Sequence, residues 1–260
     1  MIKHLAFWLF SVLIFFSPHA PAARELYVEI QKDDILLATQ GALYDVSSTG
    51  IHSAGYMMYF AAKDFTANKD LVVKKLKEAK IVVDNPDRKV VKAVFLMENQ
   101  KGVIDNDYQH IIFLETRKNY PFLAVDSRFV YLGDGNHACG INWGMEGNSE
   151  ANKFRYYAYP KGNKVLNYKL GPLKATKSNK IGVVNWLYAH DGKGEGAGLI
   201  CGGLLGKGED FIFINSVPQK KNLKKGAYIE VFFITMPISK NFKILQQIYD
   251  EIKTVKWSYK

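Results

Sequence analysis

The stretch Val90–Leu132, VVKAVFLMENQKGVIDNDYQHIIFLETRKNYPFLAVDSRFVYL, decides the fold class. It consists of short apolar runs, rich in β-branched and aromatic residues, that are separated by polar turn residues. Such runs are typical of strands, and their close succession favours antiparallel pairing. The strands predicted here are Val90–Met97, His110–Glu115, Phe122–Val125 and Phe129–Leu132.

The same pattern continues on both sides of this stretch. Further strands are predicted at Glu25–Ile30, Ile35–Thr39, Tyr56–Ala62, Phe154–Tyr159, Val165–Leu170, Ile181–Ala189, Phe211–Val217 and Tyr228–Thr235. The segment Asp84–Asp87 is predicted to be a turn, because Pro86 restricts the backbone and the flanking Asn and Asp side chains can bond locally.

Two helices are predicted. One runs from Lys69 to about Lys80 with Asn68 as its N-cap. Its apolar face is Leu71, Val72, Leu76 and Ala79. The other ends the chain and is capped by Ser239. Its apolar stripe is Phe242, Leu245, Ile248, Ile252 and Val255. The sequence therefore predicts an α+β fold, predominantly antiparallel β in a sandwich-like or curved sheet, with a C-terminal amphipathic helix packed on it.

The N-terminus has the three parts of a secretory signal peptide: Lys3, the apolar run Leu5–Phe16 and the small-residue stretch Ala20–Ala23. The apolar run is too short for a membrane-spanning helix of about 20 residues. We expect residues 1–22 to be removed and residues 23–260 to form a single globular domain with a weak lobe boundary near 133–152. The mature protein is then secreted or periplasmic, with no integral membrane segment.

Cys139 and Cys201 are the two cysteines of the chain, and both lie in the predicted mature region. An oxidising compartment favours a disulfide between them. The alternative is that one of them is a nucleophile, served by a nearby histidine acting as general base.

Positive charge is concentrated in the C-terminal part of the chain. The net charge is +10, yet residues 24–150 carry 15 basic and 18 acidic residues, whereas residues 151–260 carry 19 basic and 7 acidic ones. Within 151–190 there is no Asp or Glu, and aromatic residues alternate with the cations. This profile is typical of polyanion binding. The predicted ligand-binding residues are Lys153, Arg155, Tyr157, Lys174, Lys177, Lys180, Lys221 and Lys224.

Two glycine-rich segments, 133–152 and 192–208, are predicted to be loops that could form a hydrolase site. His137, His190 and Asp191 are the candidate acid-base groups there, and a disulfide would draw the two loops into one cleft. The glycines of 192–208 do not match a phosphate-binding loop. Asp105, Asp107 and His110 suggest either a metal site or a polar turn before a strand. We predict no cofactor and no metal.

Two functions follow from these patterns. The first is an exported, soluble binding protein of the cell envelope or extracellular space, which engages an anionic ligand (a polyanion, an acidic glycan or a lipid headgroup) through its basic C-terminal half. The alternative is a secreted hydrolase with its site around His137 and His190. The sequence does not decide whether the protein is an enzyme, and its protein partners are unknown.

Overall fold

The structure, a computed structural model, describes residues 26–147, 156–162, 164–169, 182–183, 185–200, 204–205, 212–214, 221–239, 241–253 and 259. The strands up to residue 131 are β1 (Tyr27–Ile30), β2 (Ile35–Thr39), β3 (Ala42–Ser47), β4 (Gly50–Ser53), β5 (Tyr56–Asp64), β6 (Lys69–Asn85), β7 (Arg88–Asn99), β8 (Ile104–Arg117) and β9 (Leu123–Tyr131). Those after it are β10 (His137–Gly147), β11 (Tyr156–Lys161), β12 (Lys164–Lys169), β13 (Gly182–Val183), β14 (Trp186–His190), β15 (Glu195–Ile200), β16 (Leu204–Leu205), β17 (Ile212–Ile214), β18 (Lys221–Leu223) and β19 (Tyr228–Ser239), followed by the helix α1 (Lys243–Ile252).

The sheet divides at β5. One edge of β5 pairs with β4 at Tyr56–Met58 and with β6 at Ala61–Asp64, while the other edge pairs with β10 along the whole strand. From β4 the sheet continues through β3 and β2 to β1. From β6 it continues through β7, β8, β9, β19, β15, β14 and β11 to β12. All these pairings are antiparallel, as the sequence predicts.

The two branches face each other as the layers of a sandwich. The Tyr44 hydroxyl on β3 lies 2.9 Å from the carbonyl oxygen of Pro121 and 3.0 Å from that of Thr235 on β19. The Tyr56 hydroxyl is 2.8 Å from the Thr235 hydroxyl. Large buried side chains, including Phe129 and Phe233, fill the space between the layers. Burial of this apolar area is the main force that holds the layers together.

The predicted C-terminal helix is confirmed and packs on the opposite face of the sheet. Val125 and Phe233 point into the core between the layers, whereas their neighbours Ala124 and Ile234 contact the helix side. Adjacent residues of a strand point to opposite faces, so β9 and β19 separate two apolar cores. In the described part of the chain, no helix is long and apolar enough to cross a membrane.

The predicted cap of this helix is wrong. Ser239 is the last residue of β19, and its hydroxyl donates to the Glu195 carboxylate at 2.7 Å. The N-cap position belongs to Phe242, which makes no side-chain capping bond. Packing of Leu245 and Ile248 against the sheet stabilises the helix instead.

The predicted helix Lys69–Lys80 is also wrong, because this segment belongs to β6. Asn68, the predicted cap, has φ +52° and lies in the turn before the strand. The pairing of β6 with β7 is interrupted between Val73/Lys75, Leu76/Glu78 and Ile81/Val83. Each bulge adds a residue and reverses which side of the strand faces inward. Inward positions therefore follow spacings of two and three residues, which resemble a helical period. These positions are Leu71, Val73, Leu76 and Ala79.

For the other elements, the predicted bounds differ less from the observed ones. Phe122–Val125 and Phe129–Leu132 are parts of one strand, β9, rather than two. The turn at Asp84–Asp87 is confirmed: the Asn85 side chain accepts the backbone N–H of Asp87 at 3.1 Å and of Arg88 at 2.8 Å. The glycine-rich segments are not loops throughout, since β10 lies in the first and β15 in the second. A glycine-rich strand allows close approach of neighbouring side chains, such as Tyr59 over Gly144.

The free edge of β6 is a further consequence of this topology. Between Val73 and Asn85, β6 pairs only with β7 among the described residues. Lys75, Lys77 and Lys80 are exposed along it. Bulges and lysines on an edge prevent pairing with another molecule.

We expect the triple Lys→Val variant at Lys75, Lys77 and Lys80 to self-associate more than the wild type, as measured by sedimentation velocity. The matched triple Lys→Gln variant keeps the edge polar and should behave like the wild type; equal association of both variants would contradict the protective role.

Candidate functional site

A cavity of about 210 Å³ lies where the turn between β3 and β4 crosses the inner face of the sheet. The residues that line it from the turn side are Val46, Ser47, Ser48, Thr49, Gly50 and Ile51. Those that line it from the sheet side are Tyr59, Phe60, Val72, Val73, Phe95, His110, Ile112 and Trp143. These described residues supply aromatic rings, hydroxyl groups and one imidazole, and none of them is Asp, Glu, Lys or Arg.

Among the described lining residues, His110 and Tyr59 are the ones with titratable side chains. His110 is 2% exposed and stacks on Phe60, with ring centroids 3.7 Å apart and planes 7° apart. The Trp143 ring lies 5.7 Å away, centroid to centroid. Burial lowers the pKa of His110 to about 3, so its imidazole is neutral at physiological pH.

The Ser127 hydroxyl contacts both His110 and Trp143. Its oxygen accepts the indole N–H of Trp143 at 3.0 Å and lies 2.9 Å from His110 Nε2. The other ring nitrogen, Nδ1, is buried and has no hydrogen-bond partner among the described residues. A buried polar atom without a partner is costly, so the space beside His110 is suited to a molecule that supplies one.

The turn over the cavity depends on Gly50. Its φ is +136°, and a Cβ atom there would lie 2.1 Å from the carbonyl oxygen of Met58. We expect Gly50→Ala to lower the free energy of unfolding by about 2–3 kcal/mol in urea denaturation, because strain and a backbone clash add. Gly41→Ala is the control: φ there is +83°, but nothing lies within 4 Å of the added atom, so the loss should be about 1 kcal/mol. Equal losses in the free energy of unfolding would show that the clash with the Met58 carbonyl oxygen does not contribute.

His137, a predicted acid-base residue, contacts Asp64. Its Nδ1 bonds Asp64 Oδ2, which also accepts the Tyr108 hydroxyl. Asp64 Oδ1 accepts the backbone N–H of Thr66 at 2.7 Å and of Ala67 at 2.9 Å. Burial opposes the ionisation of Asp64, but these hydrogen bonds outweigh it and hold its pKa below the ordinary value. The Asp64 cluster (Asp64, Tyr108 and His137) therefore joins the end of β5 to β8 and β10.

The predicted disulfide is wrong, because Cys139 is a free cysteine. It lies in the middle of the sheet, between Asp64 on β5 and Lys221 on β18, and its side chain is buried in the core between the layers. Burial and the negative charge of Asp64 raise the pKa of this thiol to about 12. A thiol that stays protonated is a poor nucleophile, so Cys139 is not suited to thiol catalysis. Cys201 lies outside the described residues.

His190 and Asp191 lie at the turn between β14 and β15. Asp191 Oδ1 accepts the backbone N–H of Lys193, Gly194 and Glu195 at 2.6, 3.0 and 3.2 Å, which are bonds that stabilise the turn. His190 stacks on Tyr188 with centroids 4.8 Å apart. Burial lowers its pKa, while Asp191 opposes the shift.

No contact among the described residues joins the two predicted halves of the hydrolase site. His137 contacts Asp64 and Tyr131, whereas His190 contacts Tyr156 and Tyr188. The two sets share no residue among those described. The hydrolase assignment for these histidines stays a prediction.

The predicted basic ligand site lies mostly outside the described residues. This holds for Lys153, Arg155, Lys174, Lys177 and Lys180, and for the side chain of Tyr157. Lys221 and Lys224 are exposed at β18 and in the turn after it. Lys221 donates to the carbonyl oxygen of Tyr228 at 3.1 Å. The ligand role of these residues stays a prediction.

The cavity itself was not predicted, although each of its residues is visible in the sequence. His110 was considered as a metal ligand beside Asp105, but Asp105 pairs with Lys69 at 2.7 Å and His110 points into the core. The alternation along β8 places Tyr108, His110 and Ile112 on one buried face. A lone histidine among apolar inward positions is the signal that could have pointed to this site.

Solved structures of two glycoside hydrolases share the fold. The GH36 α-galactosidase AgaA of Geobacillus stearothermophilus, in complex with 1-deoxygalactonojirimycin, matches 87% of this chain with a TM-score of 0.53 and 7% identity. The same enzyme in complex with raffinose matches 90% with a TM-score of 0.54 and 7% identity. An α-mannosidase of Enterococcus faecalis matches 86% with a TM-score of 0.50 and 8% identity.

This chain spans 42%, 44% and 31% of the length of those three chains. At such low identity the likeness shows the fold alone. No family model matches the sequence, and no curated protein matches it either.

Proposed function

We propose that this protein is an exported binding protein that holds one neutral sugar ring in the cavity between the layers. The observation that carries the proposal is the combination of a stacked aromatic wall with a buried, neutral imidazole whose Nδ1 lacks a partner. Apolar walls with a few well-placed polar groups are typical of sites for small molecules.

Aromatic rings supply the apolar contact. Phe60 and Trp143 meet edge to face, with centroids 5.4 Å apart, and Tyr59 and Phe95 extend the same wall. Rings held by one another present a rigid surface at little entropic cost, and one face of a sugar ring is apolar enough to stack on it.

Hydroxyl groups supply the polar contact. Ser47 Oγ and Thr49 Oγ1 are 2.8 Å apart, and Thr49 Oγ1 is 2.8 Å from His52 Nε2. The two hydroxyl groups can donate to or accept from ligand hydroxyls, and neither carries a charge. An uncharged lining suits a neutral ligand better than an anion, since a buried charge needs a partner.

The lining supports binding rather than hydrolysis of a glycoside. Hydrolysis ordinarily needs two carboxyl groups about 5–9.5 Å apart, and the described lining residues include no Asp or Glu. The volume of about 210 Å³ is below the roughly 300–1,000 Å³ of sites for drug-sized ligands, so one ring fits better than an oligosaccharide. The fold shared with an α-galactosidase and an α-mannosidase supports a sugar as the ligand class.

The test is binding of D-galactose and D-mannose to the purified mature protein, measured by saturation-transfer difference NMR, with D-glucuronate as the anionic comparison. We expect a neutral sugar to bind and glucuronate to bind more weakly. Val73→Phe, which fills the cavity, should abolish the signal.

Val83→Phe is the matched control for this experiment. Val83 is half-buried on the same strand but does not line the cavity, so the variant should bind like the wild type. Thermal unfolding shows whether both variants fold. Absence of binding by every sugar, or equal binding by Val73→Phe, would overturn the proposal.

The charge asymmetry favours a second candidate function, binding of a polyanion by the C-terminal half. Residues 151–260 have a net charge of +12, and Lys221 and Lys224 are exposed. None of the described residues that line the cavity belongs to this predicted polyanion site. A polyanion would bind through many exposed cations, and its affinity would fall with salt.

The test of this candidate is retention on heparin and on single-stranded DNA across a salt series. The triple variant Lys174→Ala, Lys177→Ala and Lys180→Ala should elute at lower salt than the wild type. The triple Lys→Gln variant at Lys75, Lys77 and Lys80, which keeps the β6 edge polar, removes the same charge from the other half of the chain and serves as control. Equal elution of all three proteins would overturn the assignment to the C-terminal half.

A further inference from the structure

Ser127 determines which nitrogen of His110 carries the proton. The Trp143 indole N–H can only donate, and it donates to Ser127 Oγ. Ser127 is 0% exposed, and among the described residues its other polar neighbour is His110 Nε2. The serine hydroxyl therefore has one place to donate its own hydrogen, which is His110 Nε2.

Both arrangements leave Nδ1 of His110 without a partner among the described residues, but the opposite one leaves the Ser127 hydroxyl hydrogen unsatisfied as well. If His110 Nε2 carried the proton, Ser127 would accept from both His110 and Trp143, and its own O–H would have no acceptor. A buried hydroxyl hydrogen without an acceptor is unfavourable. Donation by Ser127 to Nε2 satisfies every polar atom of Ser127, and it places the ring proton on Nδ1. Burial also disfavours the doubly protonated ring, as the low pKa of His110 indicates.

The ring is held in this orientation by its neighbours. Phe60 stacks on one side with parallel planes, Phe95 lies 6.0 Å away, and Trp143 lies 5.7 Å away. Nδ1 has no partner among the described residues, and His110 lines the cavity. The Nδ1 proton therefore needs an acceptor that the described residues do not supply, and a molecule bound beside the ring could supply it.

We infer that His110 offers an N–H donor to the cavity, fixed by Ser127 and Trp143, and that the ligand must present an uncharged acceptor oxygen to it. This inference rests on the proposed function and deepens it, because it states which chemical group of the ligand is recognised. An ether, carbonyl or hydroxyl oxygen meets the requirement. A group that can only donate, such as an ammonium, does not. A carboxylate would be buried without a cation, because no Lys or Arg is among the described residues that line the cavity.

The proton position can be measured without any ligand. In protein labelled with ¹⁵N-histidine, we expect a pyrrole-type shift for Nδ1 of His110 and a pyridine-type shift for Nε2, unchanged between pH 5 and pH 8. Ser127→Ala removes the donor to Nε2 and should move the proton toward that nitrogen, while Ser127→Thr should restore the wild-type pattern. A pyrrole-type shift for Nε2 of His110 in the wild type would overturn the inference, whether or not the protein binds a sugar.

The ligand requirement is tested with two small rings of similar shape. Tetrahydropyran carries one ether oxygen and no donor, whereas piperidinium carries donors and no acceptor. We expect tetrahydropyran to bind at least about fivefold more tightly and to shift the Nδ1 resonance, with the preference lost in His110→Phe.

The outcomes separate the two proposals. Equal binding of the two rings to the wild type would overturn the acceptor requirement. The expected ¹⁵N pattern and ring preference, together with no binding of any sugar, would overturn the sugar proposal and leave the inference about His110 standing.

Discussion

Replacing Asp64 with alanine should lower the free energy of unfolding by about 3–5 kcal/mol. Asp64 is 0% exposed and accepts four hydrogen bonds, two from backbone N–H groups and two from Tyr108 and His137. The variant leaves the fully buried Tyr108 hydroxyl and the two turn amides without acceptors, and each such group costs about 1–3 kcal/mol. Urea denaturation followed by tryptophan fluorescence measures the loss.

Asp64→Asn is the control, because the amide keeps an acceptor oxygen for the turn and nearly the same volume. We expect it to lose clearly less than the alanine variant. If both variants unfold at the wild-type urea concentration, the Asp64 cluster does not stabilise the fold.

The same residue predicts a pH dependence. The pKa of Asp64 is lowered in the folded state, so its contribution is present above the unfolded value of about 4 and is lost as pH falls through the folded pKa. Wild-type stability should therefore decrease below about pH 4 more steeply than that of Asp64→Asn. If the free energy of unfolding falls equally steeply with pH in the wild type and in Asp64→Asn, Asp64 is not the source of this pH dependence.

Replacing Trp143 with alanine should also cost about 3–5 kcal/mol, as is typical for removing a large buried aromatic side chain. Trp143 is 1% exposed and packs edge to face on Phe60 and Phe233, with centroid distances of 5.4 and 4.9 Å. The variant removes a wall of the cavity and the N–H that Ser127 accepts. It should therefore lose stability and sugar binding together.

Trp143→Phe separates these two effects. It keeps an aromatic wall but lacks the indole N–H, so we expect a smaller loss of stability and a partial loss of binding. Denaturation and sugar titration of the same samples provide both measurements. A Trp143→Ala variant that loses less than about 1 kcal/mol would show that the core around the cavity does not depend on this ring.

Much of the sheet could be predicted because strands leave a local signal. Ile35–Thr39 is a strand with the predicted bounds, and the Asn85 turn forms through the predicted side-chain bonds. The helix predicted at Lys69–Lys80 failed because bulges are set by pairing with β7, and a single strand does not contain that information. In this segment, pairing with β7 outweighed the helix-like spacing of the apolar residues.

The candidate site was less predictable than the fold. His137 was singled out from the sequence, but its partner Asp64 lies 73 residues away in the chain and meets it only because β5 pairs with β10. The predicted disulfide failed for a similar reason, since it was inferred from the predicted compartment, whereas the sheet places Cys139 in the core. Neither fact can be derived from spacing along the chain.

By itself, the sequence determined the predominance of antiparallel strands, the C-terminal helix and the concentration of positive charge after residue 150, because side-chain type and local periodicity act over a few neighbouring residues. Only the tertiary structure decided that Phe60, His110, Ser127 and Trp143 meet around one cavity. These residues come from four strands, β5, β8, β9 and β10. Their contact depends on the division of the sheet at β5, which results from long-range pairing and burial that no local segment encodes.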